Sequence, residues 1–322
     1  MTEILKIAEP VKDVFCLCRD EFLKILNSET PLLQSTIAHI MNTKGKRIRP
    51  LLLLLTAKAC GKVTPQAIEY GAVIEMLHTA TLIHDDVIDE TKQRRGRTSL
   101  NAVYDNRISV LTGDFLFAGA LQKACEMGNL FIVNMVSNVC RALSEGEMME
   151  IDNAGRHSLD EDNYMKMIRK KTASLISVCA EIGAVSAGAS PEIISACRTF
   201  GEYLGYCFQI KDDIFDYYDD AAIGKPTGND IREGKITLPL LYALNTSAEA
   251  EHFCNIIERQ DFTPDNVAAL IDFAKRSGGI EYAKKMLSDY KSKAKELINT
   301  LHDSDARNSL LLLADYFADR KY

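Results

Sequence analysis

Two acidic clusters in this chain share one spacing: Asp85-Asp86-Val87-Ile88-Asp89 and Asp212-Asp213-Ile214-Phe215-Asp216. Each follows an apolar stretch, Met76 to Ile83 before the first and Tyr203 to Ile210 before the second. On a helix, Asp85 and Asp89 lie one turn apart on one face, as do Asp212 and Asp216. Like charges at that spacing repel, so a chain that builds the arrangement twice implies a cation to hold. Mg2+ prefers oxygen ligands and binds through one or two carboxylates plus substrate phosphates. Carboxylates without Cys or His at ligand spacing fit that ion better than zinc or iron. A metal-bridged diphosphate also needs positive donors, and three groups stand out: Gly45-Lys46-Arg47-Ile48-Arg49-Pro50, Arg94-Arg95, and Gly224-Lys225-Pro226 with Gly234-Lys235.

The elements that must position these residues are helical. Gly and Pro are scarce, and the pairs Thr30-Pro31, Thr64-Pro65, Ser190-Pro191 and Thr263-Pro264 each put a capping side chain before a first-turn proline. Ser158 with Glu161 reads as a capping box. The pattern predicts helices over 3–27, 31–42, 48–60, 65–91, 98–105, 107–127, 129–152, 159–188, 191–219, 236–260, 264–276, 279–301 and 305–319. The apolar runs in 65–83, 107–121 and 172–189 read as central helices of a large bundle. No low-complexity linker divides the chain, so a single all-α domain over 1–322 is expected.

Composition narrows the function. Of 322 residues, 47% are hydrophobic and 26% charged, as in ordinary globular proteins. The net charge of -7 and the lack of a dense Lys/Arg run argue against nucleic acid as a partner. The longest obvious apolar block, Leu51 to Leu55, is far short of a membrane span. The start Met1-Thr2-Glu3 shows no signal-peptide pattern, and nine scattered Cys point to a reducing compartment, so a cytoplasmic location is expected. Cys16 and Cys18, the one close pair, read as small buried apolar residues. A nucleotide site is disfavoured, because Gly234-Lys235 is followed by Ile236 rather than Ser or Thr and no G-x-G-x-x-G occurs.

Together these motifs resemble those of the trans-isoprenyl diphosphate synthases. Glu75 to Asn101 resembles that family's first aspartate-rich motif, and its distance from Gly45–Pro50 is similar. Phe208 to Tyr217 resembles the second, Gly224 to Pro239 the segment after it, and Lys171-Thr172-Ala173 the Lys-Thr pair between them. The strong motifs span Gly45 to Pro239. The resemblance implies an isoprenoid synthase fold, a helical bundle around a substrate cavity. The implied reaction is Mg2+-dependent condensation of isopentenyl diphosphate with an allylic diphosphate such as farnesyl diphosphate.

By the same resemblance, Asp85, Asp89 and Asp212 ligate Mg2+, with Asp213 and Asp216 completing the second cluster. Arg94 holds the allylic diphosphate. Lys46, Arg49, His78 and Arg95 hold isopentenyl diphosphate. Lys171, Thr172, Gln209, Lys225 and Lys235 surround the reacting end of the allylic substrate, with Lys171 and Lys225 counted among the catalytic groups. His84 reads as structural. Family members are commonly homodimers, and an insoluble product implies transient contact with a membrane surface.

Product length follows from the residues ahead of the first cluster. In the family the product grows down a tunnel below that cluster, and here Ala80 and Thr81 are its expected wall. One turn is about 5.4 Å, so a bulky residue there would stop growth early, whereas these small ones imply a long product of about C35–C50 suited to quinone side chains. Phe131, Ile132 and Met135 are candidates for the tunnel floor or for plain core. The alternatives are a shorter-chain farnesyl or geranylgeranyl synthase, a class I terpene cyclase, a non-catalytic subunit of a heteromeric synthase, or a helical scaffold. A terpene cyclase usually lacks the second Asp cluster and the Gly45–Pro50 motif, and a non-catalytic subunit would have eroded clusters.

Overall fold

The structure is a computed structural model and describes residues 2–42, 45–94, 96–218 and 227–320. Among the described residues it is all-α apart from one pair of two-residue strands, Gln93–Arg94 antiparallel to Arg97–Thr98. Among the described residues no helix is long and apolar enough to cross a membrane. The chain packs as two compact units, each made of separate segments. The first comprises Met1–Cys140, Val178–Arg198 and Leu301–Leu310, and the second Arg141–Ser177, Thr199–Thr300 and Leu311–Tyr322.

The first unit centres on the helix Pro65–Ile88, against which Ile48–Cys60, Asn106–Glu126 and Leu17–Ile25 pack. The block Leu51 to Leu55 is fully buried, as are Val73, Ile74, Met76 and Leu77. Thr64 caps the central helix by accepting from the Ala67 N–H, and Pro65 supplies its first turn. The 107–121 run is less enclosed than its composition implies: Leu116 and Ala120 are buried, but Leu111 is exposed. Phe131 is likewise exposed, which removes it from the core, while Ile132 and Met135 are buried.

The second unit has its own core, in which Tyr217, Leu240, Leu244, Leu270 and Phe273 pack together. Phe253 stacks on Phe273 with ring centroids 3.9 Å apart.

Several further expectations are corrected. The 3–27 helix is broken into Thr2–Ala8, a 3-10 turn Glu9–Val11, Lys12–Phe15 and Leu17–Ile25, because Pro10 cannot donate within a helix. The 98–105 helix shrinks to Leu100–Tyr104 behind the hairpin, where Gly96 takes a positive φ of 72°. The 236–260 helix splits into Leu238–Thr246 and Ala250–Glu258, and Ser247 turns extended between them. The capping box at Ser158 is replaced by Asp160, whose Oδ1 accepts from the Asp162 N–H at 2.9 Å. Cys16 is exposed, while Cys18 is buried.

The 159–188 segment departs most. It forms Glu161–Ile168, then a π turn Arg169–Ala173, then Ser174–Ser186. In the π turn the Ser174 N–H reaches back five residues to the Arg169 carbonyl. Two glycines on neighbouring helices account for the space this turn occupies. A methyl group at Gly146 would lie 2.7 Å from Lys171 Cα, and one at Gly205 would lie 2.5 Å from Ala173 Cβ. The backbone of the turn is therefore approached closely by Leu130–Arg156 and by Pro191–Phe215.

Candidate active site

Each unit carries one acidic cluster beside a cavity. In the first, Asp85 and Asp89 end the Pro65–Ile88 helix, and the Asp89 N–H donates to the Asp85 carbonyl at 2.8 Å. Asp85 is half-buried and Asp89 exposed. Asp86 between them turns inward and is only 4% exposed. Its Oδ1 accepts from Arg94 Nε at 2.6 Å, and its carbonyl accepts from Asn101 Nδ2 and the Thr91 N–H, both at 2.9 Å. Burial holds the Asp86 carboxyl above its usual range even with Arg94 beside it. Asp86 thus fastens the following hairpin, and with it Arg94, to the cluster.

A cavity of 110 Å³ lies beside this helix, with His78, Thr79, Leu82, Asp86 and Arg94 on its wall. From the basic segment upstream, Gly45, Arg47 and Pro50 are on the wall, and Arg47 is the charged one, although the sequence reading gave it no role of its own. Arg47 sits in the left-handed region at φ 48° and introduces the helix Ile48–Cys60. Lys46 is exposed and Arg49 half-buried. Ala80 is fully enclosed and Thr81 donates to the His78 carbonyl at 2.9 Å; neither is on the wall of this cavity. His84 hydrogen-bonds the Val110 carbonyl at 3.2 Å and stacks on Phe117, a packed role. Arg95 and Lys225 lie outside the described residues.

The second unit holds a larger cavity of 350 Å³, whose wall includes Glu150, Lys171, Gln209, Asp212, Asp213 and Lys235. Here the three aspartates of the motif have three different surroundings. Asp212 is half-buried, and its Oδ1 accepts from the Arg320 guanidinium at 2.7 Å. Arg320 lies over the Phe208 ring at 4.0 Å, which fixes the direction from which it reaches. Asp213 is 1% exposed. Its two oxygens accept from Tyr164 and, at 3.0 Å, from Gln209. Burial pushes its carboxyl up to about 7, with the Tyr164 and Gln209 bonds pulling the other way. Asp216 accepts from the N–H groups of Asn229 and Asp230 at 2.9 and 3.2 Å, so it caps the turn Asn229–Arg232.

The Lys-Thr pair falls in the π turn. Thr172 donates to Gln209 Oε1 at 2.7 Å, which lengthens the network to Thr172, Gln209, Asp213 and Tyr164. Lys171 contacts Glu150 and Glu147 at 2.7 and 2.9 Å, and Lys235 contacts Glu150 and Glu233 at 3.0 and 2.8 Å. Asp230, also on the cavity wall, is pushed up to about 8 by desolvation and by the neighbouring Asp216 and Asp213. Glu147, Glu150, Tyr164 and Asp230 escaped the sequence reading. Glu147 and Glu150 follow Gly146 at a spacing that puts them on adjacent helical positions, the only local signal available.

The donor sets suit Mg2+. All candidate ligands are carboxylate oxygens, and the outward ones come in ones and twos: Asp85 with Asp89, and Asp212. Among the described residues no three or more His, Cys, Asp or Glu side chains form a complete metal cage. An ion that fills its octahedron with water and phosphate oxygens asks for only one or two protein carboxylates.

Residues 30–273 match the polyprenyl synthetase family model. Octaprenyl diphosphate synthase of Escherichia coli is 35% identical, over 92% of this chain and 93% of that protein. Two solved structures match nearly end to end. A polyprenyl synthase from Caulobacter crescentus, complexed with calcium and isoprenyl diphosphate, has a TM-score of 0.91 at 31% identity and covers 99% of this chain and 98% of that one. A geranylgeranyl pyrophosphate synthase from Bacteroides thetaiotaomicron has a TM-score of 0.84 at 41% identity, with 99% and 100% covered.

Proposed function

The chain belongs to the polyprenyl synthetase family and is a trans-prenyl diphosphate synthase, a premise from which we propose that it makes a long, octaprenyl-like all-trans product. The observation that carries the assignment of the reacting groups is the 350 Å³ cavity of the second unit, where Asp212, Lys171 and Lys235 line one space. The small side chains of Ala80 and Thr81, five and four residues before Asp85, are what favours a product of about C35–C50. The single synthase domain, the homodimer, the cytoplasmic location and brief membrane contact at product release belong to the same proposal.

In this reading Asp85, Asp89 and Asp212 hold Mg2+, and Asp213 and Asp216 complete the second cluster from behind it. Mg2+, when bound, offsets the negative charge that collects on the departing diphosphate. Arg94 holds the allylic diphosphate, and Lys171, Thr172, Gln209, Lys225 and Lys235 surround the reacting end of the allylic substrate. Lys46, Arg49, His78 and Arg95 hold isopentenyl diphosphate. As the allylic C–O bond breaks, its electron pair leaves with the diphosphate and a carbocation remains. Fixed Lys and Arg donors stabilise the leaving anion more than the bound substrate, which is what lowers the barrier. The isopentenyl double bond then closes the new C–C bond, and the released diphosphate accepts the proton that is lost. Apolar walls keep water from the cation.

The test is incubation with farnesyl diphosphate, isopentenyl diphosphate and Mg2+, followed by sizing of the products. Asp85→Ala and Asp212→Ala should each lower turnover by at least about 100-fold. Near-normal turnover in either would remove the metal assignment. Ala80→Phe should shorten the product, and unchanged length would end the tunnel assignment. A geranylgeranyl-length product is the second reading, favoured by the 41% identity to the Bacteroides thetaiotaomicron enzyme.

A further inference from the structure

Lys171 and Lys235 are held by one atom. Oε2 of Glu150 lies 2.7 Å from Lys171 Nζ and 3.0 Å from Lys235 Nζ. The two ammonium groups are therefore kept within about 6 Å of each other, where like charges repel. Glu147 at the Lys171 end and Glu233 at the Lys235 end extend this into a row of alternating sign: Glu147, Lys171, Glu150, Lys235, Glu233. The three central members come from three elements. Glu150 is on the helix Leu130–Arg156, Lys171 is in the π turn, and Lys235 lies just before the helix Leu238–Thr246.

The central members are shielded, with 15% of the Glu150 side chain and 24% and 22% of the two lysines exposed. Burial alone would push the Glu150 carboxyl up, yet Lys171 and Lys235 outweigh it and hold the group below its ordinary range. Burial likewise works against the charge on Lys171, and Glu150 and Glu147 outweigh it. Both partners thus stay ionised across neutral pH. In this row Glu150 is the carboxylate that touches both lysines, and without it their mutual repulsion would spread them.

We propose that Glu150 is a positioning residue of the prenyl-transfer reaction, setting Lys171 and Lys235 at a fixed spacing so that together they grip the allylic diphosphate. This deepens the synthase reading and rests on it. Glu150 acts through the lysines: its negative charge would oppose a diphosphate if it met one directly, so it serves only while the lysines stand between them.

The experiment compares Glu150→Gln, Glu150→Asp and Lys235→Gln, alone and with Glu150→Gln added to Lys235→Gln, with folding checked by circular dichroism. Loss of one charge-assisted contact should raise the KM for farnesyl diphosphate by at least about tenfold in Glu150→Gln. The KM for isopentenyl diphosphate should stay within about twofold, and Glu150→Asp should recover part of the loss. Adding Glu150→Gln to Lys235→Gln should cost less than it does alone, because the two act as a unit. Unchanged farnesyl diphosphate KM, equal losses for both substrates, or fully additive effects would overturn the positioning role. If Glu150→Gln does not fold, Glu150→Asp decides: a farnesyl diphosphate KM raised without a change for isopentenyl diphosphate supports the role, and an unchanged one overturns it. Wild-type protein that consumes no isopentenyl diphosphate would instead overturn the synthase reading itself.

Discussion

A carboxylate that is 1% exposed survives in a folded chain only if its oxygens are engaged, and Asp213 meets that condition with Tyr164 and Gln209. Tyr164→Phe removes one donor and keeps the ring, so it leaves an oxygen of Asp213 unpaired. The expected loss is about 1–3 kcal/mol of stability, read as a lower urea midpoint at unchanged slope. A variant as stable as wild type would show that the contact contributes nothing net. The aspartates themselves were legible in the sequence because spacing alone places Asp85 with Asp89 and Asp212 with Asp216. Their separate duties were not. Asp86 turns inward because of Arg94, and Asp213 because of Tyr164, which lies 49 positions earlier. Five letters of a motif hold no trace of partners so remote. Arg47 received no role of its own for a related reason, since its left-handed backbone arises from the turn into the next helix.

At the scale of elements, the π turn Arg169–Ala173 decides where Lys171 and Thr172 project. Its cause lies on other helices. Gly146 and Gly205 offer hydrogens where any other residue would press a side chain against the turn. Gly146→Ala should therefore cost about 1–3 kcal/mol in urea unfolding, as an overpacked contact does, and should raise the KM for the allylic substrate through Lys171. An alanine variant with wild-type stability would show that the turn yields easily. The sequence read 159–188 as one helix because nothing inside its first half breaks one; local propensity is blind to a glycine on a neighbour. The break at Pro10 has a local origin and is visible in that residue itself, since its ring supplies no N–H to a helix. Long periodic helices such as 65–91 and 305–319 were legible to within a few residues, since burial of an apolar face dominates there.

At the scale of the molecule, the chain's contacts divide into two units of interleaved segments, a division invisible in a sequence without linkers. The first unit leaves Leu111, Leu130 and Phe131 exposed, the last two at 77% and 55%. Large apolar side chains in water are what a partner copy would cover. Wild-type protein should sediment as a dimer, and Leu130→Glu with Phe131→Glu as a monomer; a monomeric wild type in ultracentrifugation would end the dimer proposal. The pair of Asp212 with Arg320 has a consequence for how the molecule comes into being. The two residues are 108 positions apart, and the arginine belongs to the last segment of its unit. A ribosome makes Asp212 well before it makes Arg320, so for that interval the contact between the two cannot form. The second cluster therefore reaches its observed form only after Arg320, made 108 residues later, has docked beside Asp212, which ties completion of this site to a contact that spans its unit's sequence.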